Sequence, residues 1–189
     1  MTGKDMTAAM VKKFRQEWAA LQSADPPAQH RMQDIVTLAS LVERETPLPE
    51  ERPHVAGVFA NRLRIGQPLQ CDPTVAYALS LADAYNGKLN VGDLYFPSPY
   101  NTYRNKGLPP GPIANPGEAA LRAALDPPLT DDLYFVANTE GGHFFSKTLK
   151  EHNQNVARYR RLLQQEQKAP AGGSFPAPVA KQIKPARMR

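Results

Sequence analysis

Apolar residues recur at helical spacing in two stretches near the start of the chain. Residues 6–22 carry one stripe, and a second runs from Asp34, a residue type that often caps helices, to Arg44 or Glu45. Pro47 should stop the second helix, because the residue before a proline disfavours helical geometry. The stripes are Met6, Met10, Phe14, Trp18 and Leu21 in the first, and Ile35, Leu38, Ala39 and Val42 in the second.

Prolines and glycines mark the next elements. Pro53 and Gly66 bound a third predicted helix, and residues 74–82 form a short fourth one. The fourth helix follows Asp72, which precedes a proline and has the form of an N-cap. Residues 86–114 are rich in Gly, Pro, Asn and Tyr, and we interpret them as a long ordered loop of the kind that often carries function.

The second half of the chain adds one hairpin between two helices. Residues 115–118 resemble a capping segment for a helix that ends near Leu125. Two short β-prone runs, 133–137 and 143–146, flank a glycine-rich turn and predict an antiparallel pair. A final helix is expected over 149–165.

The positive charge of the chain is concentrated at its C-terminal end. The chain has 189 residues, a hydrophobic fraction of 41% and a formal net charge of +5, values typical of one globular domain. Five of the 23 basic residues and no acidic residue lie in 168–189, so residues 1–167 carry 18 of each sign. We interpret 168–189 as a disordered Pro/Ala/Lys/Arg tail. The neutral remainder predicts no nucleic-acid binding.

Cysteine content and hydropathy give little sign of compartment. Cys71 is the only cysteine, so no intrachain disulfide is possible. No apolar run approaches the roughly 20 residues that cross a bilayer. Charged residues also interrupt the N-terminus where a signal peptide needs an apolar stretch, so the chain alone is expected to be soluble.

Two acids at the end of the second predicted helix, Glu43 and Glu45, are the leading candidates for chemistry. A carboxyl group partly withdrawn from water keeps its proton longer and can protonate a leaving group. Successive helical residues turn by about 100°, so the two acids flank the apolar stripe on opposite sides and cannot readily share one site. Geometry leaves open which of them acts, or whether both are solvated helix-end residues.

Five motifs in register resemble those of one family. They are Leu38–Thr46 (LASLVERET), Gln70–Thr74 (QCDPT), Tyr100–Tyr103 (YNTY), Gly107–Ala114 (GLPPGPIA) and Gly141–His143 (GGH). From about Asp34 to Tyr159 the chain is similar to the catalytic domain of the YceG-like endolytic murein transglycosylases, the MltG family. Members of that family carry an N-terminal membrane anchor and a LysM-like region. Neither is recognisable in this sequence, which we expect to be a catalytic-domain piece or a short form.

The resemblance implies a lytic transglycosylase that cuts the bond between N-acetylmuramic acid and N-acetylglucosamine in peptidoglycan. Glu43, the first glutamate of its motif, is expected to act as general acid and then as base, with Glu45 as the alternative. The muramic C6 hydroxyl would close onto C1 and leave a 1,6-anhydro end, so one carboxylate suffices and no cofactor is expected. Asn101 is expected to assist catalysis as a neutral hydrogen-bonding partner, or else to be a turn residue.

Further residues of the motifs are expected to contact sugar. Tyr100 and Tyr103 have aromatic faces, and Asp72 is either a second carboxylate or the cap of the helix that follows. Cys71 stands where the family usually has Thr or Ser, and no base is beside it, so it is not expected to be a nucleophile. The expected substrate-binding set is Gln70, Asp72, Thr74, Tyr100, Tyr103 and His143. No histidine pair has metal-ligand spacing, so no metal site is expected.

The expected fold is a single α+β domain with helices around a small antiparallel sheet and one elongated cleft. Residues 1–30 would be an N-terminal helical segment, 31–167 the catalytic domain and 168–189 the flexible basic tail. The expected partners are peptidoglycan glycan strands and, by the resemblance, penicillin-binding synthases at the periplasmic face of the bacterial inner membrane. The alternatives are a peptidoglycan-binding module without turnover, and salt-sensitive nucleic-acid binding through the tail.

Overall fold

The computed structural model describes residues 2–24 and 32–168. Within these ranges the chain forms six α-helices and one two-stranded antiparallel sheet, which confirms the predicted α+β class. The helices are α1 (Gly3–Ala24), α2 (Met32–Glu45), α3 (Arg52–Arg64), α4 (Asp72–Leu81), α5 (Glu118–Leu125) and α6 (Leu149–Lys168). The strands are β1 (Tyr134–Ala137) and β2 (His143–Ser146), and short 3-10 turns occur at Pro49–Glu51 and Asp93–Tyr95.

Two predicted helix caps are wrong in position. Helix α2 already includes Met32, so Asp34 lies inside its first turn instead of capping it. The N-cap of α4 is Cys71, and Asp72 is the first helical residue. One carboxylate oxygen of Asp72, Oδ1, accepts a hydrogen bond from a tyrosine hydroxyl described below.

The core forms around α2, which packs against both α3 and α5. Leu41 and Val42 of α2 and Phe59 of α3 are fully buried, and burial of side chains of this size stabilises a fold by about 1.5–3 kcal/mol each. The apolar stripe predicted for α2 is the face that meets these neighbours. The last residues of α2 are therefore held from two sides.

Helix α3 comes very close to the segment that leads into β1. A Cβ on Gly57 would lie 2.7 Å from the backbone oxygen of Pro128 and 3.0 Å from Cγ2 of Thr130. Asn61 Nδ2, one turn further on, donates to the backbone oxygens of Thr130 and Asp132, the second at 3.1 Å. Glycine allows this approach, and it sets where the hairpin begins.

The hairpin pairs Phe135 with Phe145 and Ala137 with His143, so the predicted strands and their antiparallel pairing are confirmed. Helix α6 packs against both strands. At the other end of the chain, Trp18 and Leu21 of α1 are buried, whereas Met6 is exposed. None of the helices in the described ranges has the length and apolar character needed to cross a bilayer. The predicted tail, 168–189, lies outside those ranges except for Lys168, which is the last residue of α6.

Candidate active site

The C-terminal end of α2 carries Glu43 and Glu45. Glu43, 24% of whose side chain is exposed, is held through both carboxylate oxygens. Arg52 Nη2 donates to Oε1 at 2.9 Å, and the backbone N–H of Gly117 donates to Oε2 at 3.0 Å. Gly117 is the N-cap of α5, so the carboxylate also faces the positive end of that helix dipole. Glu43 thus joins α2 to α3 and to α5.

Glu45 faces a different group of residues. Its Oε2 accepts a hydrogen bond from the thiol of Cys71, with Sγ 3.4 Å away. Cys71 is 1% exposed and immediately precedes α4. The second motif glutamate therefore lies beside the Gln70–Thr74 motif, whereas the first one does not contact it.

Asp72 is buried, with 4% of its surface exposed. The hydroxyl of Tyr103 donates a hydrogen bond to its Oδ1. Burial raises the pKa of Tyr103 far above its ordinary value, and the negative charges of Asp72 and then Glu45 act in the same direction. Asp72, Glu45 and Tyr103 thus form one cluster in which the tyrosine is a lasting hydrogen-bond donor.

Two buried threonines fix the loop that carries this cluster. Thr74 Oγ1 donates to the backbone oxygen of Cys71 at 2.6 Å and lies 2.9 Å from Oγ1 of Thr102. Thr102 in turn accepts from the N–H of Cys71 at 3.0 Å. Gln70, by contrast, is exposed and has a positive φ of 51°. These contacts favour a structural role for Thr74, whose role in sugar binding stays a prediction, as does that of the exposed Gln70.

Asn101 is completely buried and organises the long loop. Its Nδ2 donates to the backbone oxygens of Leu94 and Phe96 at 3.0 and 2.9 Å, and its Oδ1 accepts from the N–H of Tyr103 at 2.9 Å. These contacts favour the turn role that the sequence left open. The catalytic role of Asn101 stays a prediction. Tyr100 packs against Tyr77, with ring centroids 4.9 Å apart, and is half-buried.

His143 is placed by a residue that the sequence analysis did not single out, Glu51. The His143 N–H donates to Glu51 Oε1 at 2.8 Å, and its Nδ1 lies 2.7 Å from Oε2. Oε2 also accepts from the hydroxyl of Thr46 at 3.2 Å. Thr46 directly follows Glu45, so Glu51 connects the GGH motif to the end of the helix that carries both acids.

Arg62 is a second residue that sequence reasoning missed. Its Nε donates to the backbone oxygen of Leu133 at 2.6 Å and its Nη1 to that of Leu69 at 2.7 Å. Its guanidinium also lies 5.2 Å from the ring centroid of Tyr134. Burial lowers the pKa of Arg62 below its ordinary value. The side chain ties the start of the hairpin to the loop that leads to Gln70.

A cavity of about 440 Å³ lies beside the N-terminal half of α2. Asp34 and Thr37 line it on the helix side and residues 108–110 on the loop side. Asp34 precedes Glu45 by eleven residues, which places both on the same face of α2, about 16 Å apart along the axis. None of the predicted substrate-binding residues lines this cavity.

The structure thus brings together Glu45, Cys71, Asp72 and Tyr103, and it connects His143 to them through Glu51 and Thr46. Glu43 lies on the opposite side of α2, in contacts with a cation and a backbone amide. Among the residues that the structure describes, no group of three His, Cys, Asp or Glu side chains is arranged to hold a metal ion. A carboxyl in this group can give and take a proton.

Comparisons with known proteins identify the family. The model of the YceG-like family matches residues 1–158. The endolytic murein transglycosylase of Bacillus subtilis (strain 168) is 42% identical over 156 residues, which cover 82% of this chain and 42% of that protein. The protein of the same name from Streptococcus pneumoniae serotype 2 (strain D39 / NCTC 7466) is 35% identical over 163 residues, which cover 82% of this chain and 28% of that protein.

A solved structure is also similar. The 2.6 Å crystal structure of a yceG-like protein from Listeria monocytogenes superposes with a TM-score of 0.62 at 42% identity. The match covers 79% of this chain and 46% of that one. The chain therefore spans less than half the length of the relatives that it matches.

Proposed function

Because the chain belongs to the YceG-like family, we propose that it is an endolytic lytic transglycosylase acting on peptidoglycan glycan strands. The observation that carries the proposal is its 42% identity to a named endolytic murein transglycosylase over a span that covers 82% of this chain. The resemblance of the motifs adds the bond that is cut, between N-acetylmuramic acid and N-acetylglucosamine. It also adds the setting, the periplasmic face of the bacterial inner membrane beside penicillin-binding synthases.

The reaction needs one carboxyl that gives and then takes a proton. The acid protonates the glycosidic oxygen, and the bond between that oxygen and C1 of the muramic residue breaks. The muramic C6 hydroxyl forms a new bond to C1 while the carboxylate takes the hydroxyl proton. The product is a 1,6-anhydro end, and no water is consumed. Hydrolases of the usual kind need a second carboxylate to activate water or attack the sugar.

The contacts of the two candidate acids support Glu45 as the proton donor. Both oxygens of Glu43 already accept hydrogen bonds, from the guanidinium of Arg52 and from the amide of Gly117. Glu45 instead meets the thiol of Cys71, a weak donor, on the side where the second motif lies. Glu43, expected from its place in the motif, stays the alternative prediction, and one experiment separates the two.

Asp72 is less suited to act as a second catalytic carboxylate. It is 4% exposed and already accepts the hydrogen bond of Tyr103. Activating a water molecule requires a carboxylate oxygen that the water can reach. This burial supports a mechanism with a single acid and base and hence an anhydro product.

Mass spectrometry of purified peptidoglycan after incubation with the chain tests the proposal. The wild type should generate anhydromuramic ends, Glu45→Gln should reduce their rate at least 100-fold, and Glu43→Gln should retain most of it. If Glu43→Gln loses the formation of anhydromuramic ends and Glu45→Gln retains it, the acid is Glu43. Reducing ends from the wild type would indicate a hydrolase and contradict the transglycosylase proposal.

A peptidoglycan-binding module without turnover is the second candidate, because the chain spans less than half of its named relatives. It predicts that the chain sediments with insoluble peptidoglycan but forms no new ends. Under this reading Glu45→Gln would leave every measured property unchanged.

A further inference from the structure

The best-defined polar contact outside the two candidate acids is the one between Glu51 and His143. Ninety-two residues separate the two, and two hydrogen bonds of 2.7 and 2.8 Å join them. The Glu51 side chain is 17% exposed and the His143 side chain 10%. The imidazole ring is further restricted by Phe135 in edge geometry and by Phe145 in tilted geometry, with ring centroids 5.3 and 6.3 Å away. Little freedom remains in the ring orientation.

The hairpin turn is shaped for this contact. Asn138 Oδ1 accepts from the N–H groups of Glu140 and Gly142 at 2.8 and 2.9 Å, which folds the turn back on itself. A Cβ on Gly142 would lie 2.3 Å from Oε1 of Glu51, so the carboxylate occupies the space that any larger residue would fill. The second glycine of the GGH motif therefore gives Glu51 access to His143.

The hydrogen bonds determine which ring nitrogen carries the proton. An ionised carboxylate can only accept hydrogen bonds, so His143 Nδ1 must be the donor to Glu51. In the neutral ring the other nitrogen, Nε2, is then an acceptor. Within the described part of the chain no group hydrogen-bonds Nε2. The His143 side chain is 10% exposed, and Nε2 is not fully buried.

The same carboxylate connects this histidine to the candidate acids. Glu51 Oε2 accepts from the hydroxyl of Thr46, the residue after Glu45. The next residue, Arg52, binds Glu43. Two adjacent residues thus hold the α2 end on both sides of Glu45 and fix it relative to the hairpin. An imidazole whose outer nitrogen is open and oriented in this way is arranged to bind a ligand.

We propose that Glu51 is a positioning residue that holds His143 with Nε2 outward, and that this nitrogen accepts a hydrogen bond from a hydroxyl or acetamido N–H group of the glycan strand. The inference rests on the proposed function for the identity of the ligand. It assigns a role to Glu51, and it specifies which atom of His143 meets the sugar.

Amide variants of His143 test the roles of the two ring nitrogens separately. In His143→Asn the side-chain amide reaches the position of Nδ1, so the contact with Glu51 is kept and Nε2 is lost. In His143→Gln the amide reaches the position of Nε2, but the side-chain contact with Glu51 is lost and only the backbone N–H contact remains. We expect His143→Asn to melt near the wild-type temperature and to lose kcat/KM for anhydro-end formation by 10-fold or more. His143→Gln should melt lower and keep more activity than His143→Asn.

Glu51→Gln tests the positioning role. The N–H and Nδ1 of His143 meet different oxygens of Glu51, and in Gln one of these two positions becomes an NH₂ group that cannot accept. If the amide oxygen takes the backbone N–H, the amide NH₂ faces Nδ1 and the ring proton must move to Nε2. The ¹⁵N shifts of the neutral imidazole should then report an Nδ1–H form in the wild type and an Nε2–H form in the variant. Adding chitotetraose should shift the wild-type Nε2 resonance.

His54 supplies the matched control, because it also pairs with a carboxylate, Asp132 Oδ2 at 2.8 Å, but through Nε2. His54→Gln keeps that donor position and should leave kcat/KM unchanged. Three results would each overturn the inference. They are an Nε2–H form in the wild type, full activity in His143→Asn, and an Nε2 resonance that does not shift when chitotetraose is added. The NMR results do not depend on turnover, so they stand even if the wild type forms no anhydro ends and the proposed function fails.

Discussion

The hydroxyl of Tyr103 donates a hydrogen bond to the buried carboxylate of Asp72, and this contact joins the long loop to the first turn of α4. Tyr103→Phe removes this hydrogen bond from a buried carboxylate. We expect the free energy of unfolding to fall by about 1–3 kcal/mol, the cost of stranding a buried polar group. Urea denaturation measures it. Tyr95→Phe, at a tyrosine that is 62% exposed, should change the value by less than about 0.5 kcal/mol.

The same tyrosine predicts a loss of stability at alkaline pH. Burial, followed by the charge of Asp72, raises the pKa of Tyr103 in the folded state above the unfolded value of about 10. The folded state therefore holds the phenolic proton longer, and the stability from this residue is complete below pH ~10 and is lost as the pH rises beyond it. Unfolding free energies measured between pH 9 and 11 should fall more steeply for the wild type than for Tyr103→Phe. Parallel slopes would contradict the assignment.

At His152 we expect the opposite effect, a loss of stability at acidic pH. Burial, and then the charge of Arg62, lower its pKa below the ordinary value of 6.5. The unfolded chain therefore binds a proton that the folded chain resists, so stability is present above pH ~6.5 and is lost as the pH falls through the lowered pKa. His152→Gln should reduce this slope between pH 7 and 5. Thermal denaturation across that range tests it, and an unchanged slope would assign the loss to other groups.

The ion pair between Glu43 and Arg52 is expected to matter for stability. Both side chains are largely buried, at 24% and 13% exposure, and Glu43 also accepts from Gly117. Glu43→Gln should lower the free energy of unfolding by about 1–2 kcal/mol, less than for a fully buried pair because solvent screens part of the interaction. A double-mutant cycle with Arg52→Met should give a coupling energy near 1 kcal/mol. A coupling of zero would mean that the pair makes no net contribution.

Gly57→Ala should be among the most damaging single-methyl changes in the fold. The new Cβ would meet the backbone oxygen of Pro128 at 2.7 Å, and a backbone atom cannot move aside as the end of a side chain can. We expect a loss of about 2–4 kcal/mol from overpacking at this contact. Gly3→Ala, where nothing lies within 4 Å of the new Cβ, is the control and should not destabilise the chain. Equal melting temperatures for the two variants would contradict the close approach.

The elements of the fold were accessible from the sequence because each depends on local pattern. The apolar stripe of α2 and the proline after it gave the helix within two residues of its observed bounds, Met32–Glu45. The glycine-rich turn between two β-prone runs gave the hairpin and its pairing. Caps were less predictable. Asp72 has the residue type of a cap, but a tyrosine 31 positions away takes its carboxylate.

The side-chain contacts of the site could not be predicted, because they join residues far apart in the chain. Glu51 lies in a short polar stretch between two helices, and nothing local indicates that its partner is His143, 92 residues later. Arg62 has the spacing of an ordinary exposed helical arginine, yet it is 7% exposed and bonded to carbonyl groups of two loops. Helical spacing did place Glu43 and Glu45 on opposite sides of α2, but only the neighbours of each show which one meets the second motif.

The single thiol of this chain, Cys71, gives a built-in reporter of conformational opening. Its sulfur is buried against Glu45 at the junction of α2 and α4, and no other cysteine competes for an alkylating reagent. Alkylation therefore requires that junction to separate, so the labelling rate in native buffer measures how often it opens. A bound glycan that stabilises the closed junction would slow the labelling. Substrate engagement can thus be followed on the unmodified chain without any measurement of turnover.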